Sequence, residues 1–237
     1  MHKLEGIADK IRQDFDRRTA SRDGALAQAR QLTRACSLAI RAVHREDSAS
    51  MQEQLNAARR LSQTLIDGLQ QHPDLYYAGY TQDALKEYVE ANVTCALIQN
   101  RPLPAPEELG VTGFTYLNGL AEVVGELRRK TLDILRHGYS QEAERLLTIM
   151  DDIYAVLVTM DYPDAITNGL RRQTDLARGI IEKTRGDMTF SLRGEHLEQA
   201  MARLSTQLSG GAVPAGDRSQ AKGSDSQPGH GEARDST

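Results

Sequence analysis

Apolar residues return every three or four positions along nearly all of residues 3–208, and nowhere do they alternate with polar ones over the length of a strand. A chain carrying only the helical period buries its apolar stripes by packing helix on helix. Aromatic residues make up 5% of the chain and tryptophan is missing, so the core has to be built from Leu, Ile, Val and Ala, which suits packed helices. The expected fold is therefore all-α, with no internal repeat. At 237 residues the chain is long enough for one large domain or two small ones.

The periodicity predicts seven helices. The first covers about 2–46, bent near Gly24. The second follows Ser50-Met51-Gln52-Glu53, a capping-box pattern, and ends before His72-Pro73-Asp74. The third covers about 75–100, with a break near Gly79-Tyr80-Thr81. The proline-rich stretch from Arg101 to Pro106 stops it and reads as a linker. A fourth covers about 113–137, and a fifth follows Ser140 to about 160. After the turn at Tyr162-Pro163, Asp164 caps a sixth helix over 165–187, and a short seventh spans 194–208. Ile166, Leu170, Leu176, Ile180 and Ile181 mark the sixth helix as a core or subunit-contact element. From Ser209 to Thr237 the only large aliphatic residue is Val213, too little to offset the entropy of ordering. The domain is expected over 1–208 and a disordered tail over 209–237.

Two predicted helices carry paired glutamates. LKEYVEAN places Glu87 and Glu90 three apart, and GLAEVVGELRR places Glu122 and Glu126 four apart, so each pair shares a helix face. Like charges one turn apart repel, and four carboxylates can converge only around a cation. An all-oxygen set suits Mg²⁺ or Mn²⁺, and the lack of histidine in either motif argues against zinc. The competing reading is an ordinary solvated face. On the fourth helix Leu117, Leu120, Val124, Leu127 and Leu135 form one stripe, with Glu122, Glu126, Arg129 and Asp133 opposite. Gly119 and Gly125 flank the glutamates although each costs about 1 kcal/mol inside a helix. A face bordered by glycine admits a substrate backbone or a second helix at close range.

On the first helix Arg30, Arg34, Arg41 and Arg45 fall within about 60° of one another, opposite Leu32, Cys36, Ala39, Ile40 and Val43. An all-arginine stripe suits phosphate, and water is its alternative partner. No aromatic residues interleave with it, so base stacking is not indicated there. Net charge is −4, which does not announce a nucleic-acid binder by bulk charge. His2, His44, His72, His137, His196 and His230 have no metal-ligand spacing and read as surface, turn or tail residues. Cys36 and Cys95, far apart inside helical patterns, read as buried reduced thiols of a cytoplasmic protein. The charged N-terminus is no secretory signal, and no apolar run reaches the roughly 20 residues that span a bilayer.

RQLTRACSLAIRAVHR at 30–45, LKEYVEA at 85–91, YLNGLAEVVGELRR at 116–129 and LRRQTDLARGIIEKTRGD at 170–187, in this order and spacing, resemble the translin and Trax (translin-associated factor X) family, most closely its catalytic Trax side. The resemblance covers nearly all of 1–208. It implies an all-α homo-octameric shell enclosing nucleic acid, and Mg²⁺-dependent endoribonuclease activity on single-stranded RNA, with single-stranded DNA a second ligand. It carries the family's acidic site onto Glu87, Glu90, Glu122 and Glu126 as metal and catalytic residues. Glu87, Glu90 and Glu122 are the preferred ligands, and Glu126 is a ligand or the base that positions water. Glu122 stands where the Trax pattern has Asp, which bears on rate and metal preference. Two alternatives stand beside this reading. One is a non-catalytic translin-like binding module. The other is an all-α nucleotide pyrophosphohydrolase, although its ExxE and ExxD pairs differ from the ExxxE here.

Overall fold

The computed structural model describes residues 2–210. Among them there are nine helices and no strand: α1 (His2–His44), α2 (Ser48–Gly68), α3 (Pro73–Tyr76), α4 (Gly79–Ile98), α5 (Pro106–Leu109), α6 (Gly113–Leu135), α7 (Gln141–Val158), α8 (Asp164–Thr167) and α9 (Leu170–Gly210). The chain divides into two compact units, Met1–His196 and Leu197–Thr237; in the second, the described residues continue as helix. Of the disordered tail expected over 209–237, Ser209 and Gly210 are the last residues of α9, and the remainder lies outside the described residues. Among the described residues no helix is long and apolar enough to cross a membrane.

Within the first unit α1 packs on α2 and α4, α4 on α6, and α6 on α7. On α2, Met51, Leu55, Ala58, Ser62 and Leu65 are buried at alternating spacings of four and three. The buried side of α1 is rich in alanine: Ala25, Ala29, Ala35, Ala39 and Ala42. Such small side chains let neighbouring helices approach closely. Leu32, Cys36 and Val43 fill the same side of α1, and Leu85, Val89, Val123, Val124, Leu127 and Leu146 continue one core through α4, α6 and α7.

The differences from the predicted helices have local causes. The second helix starts at Ser48, because the Asp47 side chain accepts from the Ser50 amide at 3.0 Å; the cap is Asp47 and not Ser50. The third helix is two, separated by an extended Ala78. The carbonyls freed by that break are satisfied from α4: Thr81 Oγ1 donates to Leu75 O at 2.8 Å and Gln82 Nε2 to Tyr76 O at 2.7 Å. The linker contains a turn of helix, α5, with proline at its start and Gly110 at φ 68 ending it. The expected sixth helix does not begin at 165. Asp164 lies in the first turn of α8 and is not a cap, and the left-handed pair Asn168 and Gly169 (φ 51 and 83) breaks the chain before α9. α9 then continues through Gly186 and Gly194, so the predicted sixth and seventh helices are one. Thr184 and Met188, both buried, hold it where a break was expected.

Candidate metal centre

The seam between α4 and α6 is set by Gly119. A Cβ on this glycine would lie 2.7 Å from Val89 Cβ, 2.8 Å from Val89 Cγ1 and 2.9 Å from the Lys86 carbonyl oxygen. Real Cβ atoms do not approach other atoms so closely, so only glycine lets α4 come this near. The residues one turn either side of the contact are the charged ones. Lys86, Glu87 and Glu90 bracket Val89 on α4, while Glu122 follows Gly119 by three positions on α6. The glycine cost in helix propensity thus allows a helix-to-helix contact. Gly125 does no such work, since nothing lies within 4 Å of the place its Cβ would take.

Glu87, Glu90 and Glu122 are half-buried, and each offers a carboxylate oxygen such that all three lie within 4.8 Å of one another. Glu122 thus faces α4 across the seam, whereas Arg129 farther along the same side of α6 is exposed. Glu126 stands outside this triple. Its Oε2 is 2.6 Å from His44 Nε2, which donates to it, and 3.5 Å from Arg129 Nη1. Lys86 Nζ lies 2.8 Å from Glu122 Oε1, and Gln173 Nε2 of α9 donates to the same oxygen at 3.4 Å.

The electrostatics follow from this crowding. Burial, then the charges of Glu87, Glu122 and Glu126, push the Glu90 carboxyl up to about 8. Glu87 is raised by burial and then by Glu122, with Lys86 opposing. The His44 hydrogen bond holds Glu126 below the usual carboxylate range. For Lys86, burial works against the charge, but the bond to Glu122 outweighs it and the ammonium is held above its usual range. Both carboxyls are thus shifted towards the proton-bound form. An all-oxygen donor set whose members repel one another and are partly desolvated fits a hard divalent cation, which replaces the proton as the neutralising charge.

His44 is the residue that sequence reasoning missed. It was expected at the surface, yet its side chain is 3% exposed and its Nδ1 is buried with no hydrogen-bond partner. The signal was present: Leu32, Cys36, Ile40 and His44 recur every fourth residue, so His44 ends the buried row of α1. Of the other histidines, His72 is half-buried with Nε2 3.2 Å from Ser21 Oγ, and His230 lies outside the described residues. Cys36 and Cys95 are free and buried as expected. Burial, with Glu87 and Glu90 nearby, raises the Cys36 thiol, and burial pushes Cys95 up to about 12.

Arg30, Arg34, Arg41 and Arg45 are all exposed, and none has an acidic partner among the described residues. At ~100° per residue they lie between about 40° and 100° around the α1 axis from His44. The stripe therefore begins beside the edge of α1 that meets Glu126.

No protein-family model matches the sequence. A protein of Methanocaldococcus jannaschii, itself uncharacterised, is 32% identical over 190 residues, which is 79% of this chain and 84% of that protein. Among solved structures, AfC3PO in a complex with duplex RNA is 30% identical with a TM-score of 0.73, over 78% of this chain and 96% of that one. AfC3PO alone gives 29% identity and a TM-score of 0.72, over 78% and 97%. Apo-NeC3PO, at 24% identity and a TM-score of 0.71 over 77% and 96%, shares the fold. The all-α architecture and the match over nearly the whole length of these chains show that this protein belongs to the translin-like C3PO family.

Proposed function

We propose that this chain is a Trax-type, Mg²⁺-dependent endoribonuclease acting on single-stranded RNA within a homo-octamer. The observation that carries the proposal is the meeting of Glu87, Glu90 and Glu122 from two helices within 4.8 Å, with Glu126 beside them. The RNA complex of AfC3PO supports RNA as the ligand class.

Glu87, Glu90 and Glu122 would hold the divalent ion, Mg²⁺ or Mn²⁺. When bound, such an ion supplies Lewis acidity at the scissile phosphate and a nucleophilic water. Glu126, kept ionised by His44, is the carboxylate able to accept a proton from water at its second oxygen. His44 is buried and fixes that carboxylate's orientation. Lys86 supplies positive charge next to Glu122, where a phosphate oxygen is to be received. The unpaired stripe from Arg30 to Arg45 gives the phosphate backbone a track leading to the same edge of the bundle. Glu122, one methylene longer than the Asp of the Trax pattern, reaches Lys86 and Gln173.

A second reading rests on Lys86. With its ammonium 2.8 Å from Glu122, the cluster has a resident counter-charge, and the chain would then bind RNA without cutting it. Labelled single-stranded RNA with Mg²⁺ separates the two. Wild type should cleave, while Glu87→Gln, Glu122→Gln and EDTA-treated protein should bind without cleaving. Cleavage persisting in both variants with EDTA present rejects the site, and binding without cleavage by wild type selects the second reading.

A further inference from the structure

The proline-rich stretch after α4 forms one wall of a cavity of about 330 Å³. A second wall is α2, which presents Gln52, Asn56 and Arg59 at spacings of four and three. The third is the C-terminal half of α4, through Asn92 and Ala96. At ~100° per residue these two lie about 120–180° around the α4 axis from Glu87 and Glu90, so the cavity is on the side of α4 away from the carboxylates. Its volume is at the lower end of the roughly 300–1,000 Å³ of small-molecule sites.

The end of α4 places an arginine here. Asn100 takes a left-handed backbone at φ 52. Its amide donates to Leu97 O at 3.2 Å, and the Arg101 amide donates to Ala96 O at 2.8 Å. This pair of bonds is a Schellman turn, which folds the chain back at the end of the helix. Pro102, Pro104 and Pro106 then restrict the linker, and the Tyr116 hydroxyl donates to Pro104 O at 2.9 Å, pinning it to α6. Arg101 thus reaches the cavity from the linker and Arg59 from α2. Both charges bear on α4. Burial raises the Tyr88 phenol and Arg59 opposes it, while burial raises the Cys95 thiol and Arg101 opposes it.

No carboxylate lines the cavity, and neither guanidinium has an acidic partner among the described residues. Asn56 Oδ1 accepts from Gln52 Nε2 at 3.2 Å, and Asn92 Nδ2 donates to Tyr88 O at 2.8 Å. The remaining amide atoms include donors and acceptors, so the two guanidiniums set the sign of the site. Their forked N–H groups match phosphate oxygens two at a time. We infer that this cavity binds a phosphate monoester of mononucleotide size, its phosphate held by Arg59 and Arg101 and its organic part against Leu55 and Pro104. A monoester carries about −1.5 to −2 charges at neutral pH and so matches two guanidiniums, whereas a phosphate inside a strand carries one. A free nucleotide and the phosphorylated end of an RNA strand share this chemistry. No residue of the carboxylate seam lines the cavity, so the site stands independently of the ribonuclease reading.

The test is calorimetric titration of the full chain, in EDTA at neutral pH, with adenosine monophosphate, its cyclic diester and adenosine. Wild type should bind the monophosphate saturably, the cyclic diester about tenfold more weakly, and adenosine not at all. Arg59→Gln and Arg101→Gln should each weaken the monophosphate by about tenfold, the scale of one charge-assisted hydrogen bond, with helicity unchanged by circular dichroism. Monophosphate binding that is absent at millimolar concentration, equal to that of adenosine, or unchanged in both variants overturns the site. Fluorescein-labelled hexaadenylate with and without a terminal phosphate then separates the sources. Where the monophosphate binds as expected, tighter binding of the phosphorylated strand that is lost in Arg101→Gln assigns the site to RNA ends. No effect of the terminal phosphate assigns it to a free nucleotide.

Discussion

The α-carbon of Gly119 on α6 and the side chain of Val89 on α4 touch with no room for a methyl group between them. Alanine at 119 would gain about 1 kcal/mol of helix propensity, but overpacking a seam typically costs about 1–3 kcal/mol, and the neighbours here include the α4 backbone. Gly119→Ala should therefore be destabilising by up to about 2 kcal/mol in urea titrations. Gly125→Ala meets open space and should be neutral or stabilising by up to about 1 kcal/mol. Equal effects at the two positions would mean that the seam does not depend on Gly119.

A pH dependence follows from Glu90. Its carboxyl is raised by burial and by Glu87, Glu122 and Glu126 to about 8, against an ordinary value of 4.5. The folded chain then holds a proton that the unfolded chain releases. The stabilisation is complete below pH 4.5 and is lost as pH rises towards 8. In EDTA, wild type should lose up to about 1.4 kcal/mol per pH unit over this window from the one group. Glu90→Gln, which carries no charge, should flatten the profile. Thermal melts at several pH values read the slope, and identical slopes for the two proteins contradict the assignment.

The reach of sequence reasoning has physical limits that particular residues show. Paired glutamates at helical spacing and an unpaired arginine stripe were visible because each belongs to one helix. Whether Glu122 faces water or α4 was not visible, because that is decided by Gly119 against Val89, a contact between segments 30 positions apart. His44 was misread for a related reason: lacking metal-ligand spacing to any other histidine, it read as a surface, turn or tail residue, while its partner Glu126 lies 82 positions away. The break at Ala78 is also set from a distance, by side-chain bonds from Thr81 and Gln82 back to Leu75 and Tyr76. The fused α9 shows that two glycines in an amphipathic helix are outvoted when buried Thr184 and Met188 anchor it.

Phosphate contacts through α1 predict a salt effect. Each phosphate neutralised on a single strand contributes a slope of about −0.7 in log affinity against log salt. Arg34→Glu with Arg41→Glu should weaken binding to all RNA sequences and flatten that slope, since these exposed side chains carry no base information. Fold stability should change by less than about 0.5 kcal/mol. Unchanged affinity and slope would show that the stripe faces only water.

Assembly is predicted from the exposed part of the α8–α9 region. Leu170 and Ile181 are 1% and 4% exposed and belong to the core, whereas Ile166 and Leu176 are 63% and 53% exposed. Light scattering should report about eight chains of 26.2 kDa per particle. Leu176→Asp should shift the particle to a smaller species with helicity retained. A monomer of wild type at micromolar concentration rejects the closed shell.

In the proposed function α4 and α6 together build one divalent-ion site. Titration of the metal-free protein with Mn²⁺, followed by electron paramagnetic resonance of the free ion, tests it without reference to RNA. Wild type should remove Mn²⁺ from solution with saturable binding in the site, and Mg²⁺ should compete. Glu87→Gln on α4 and Glu122→Gln on α6 should each weaken that binding by at least about tenfold, the scale of losing one anionic ligand at about 1.4 kcal/mol or more. Mn²⁺ binding that is absent in wild type, or that survives unchanged in both variants, contradicts the claim.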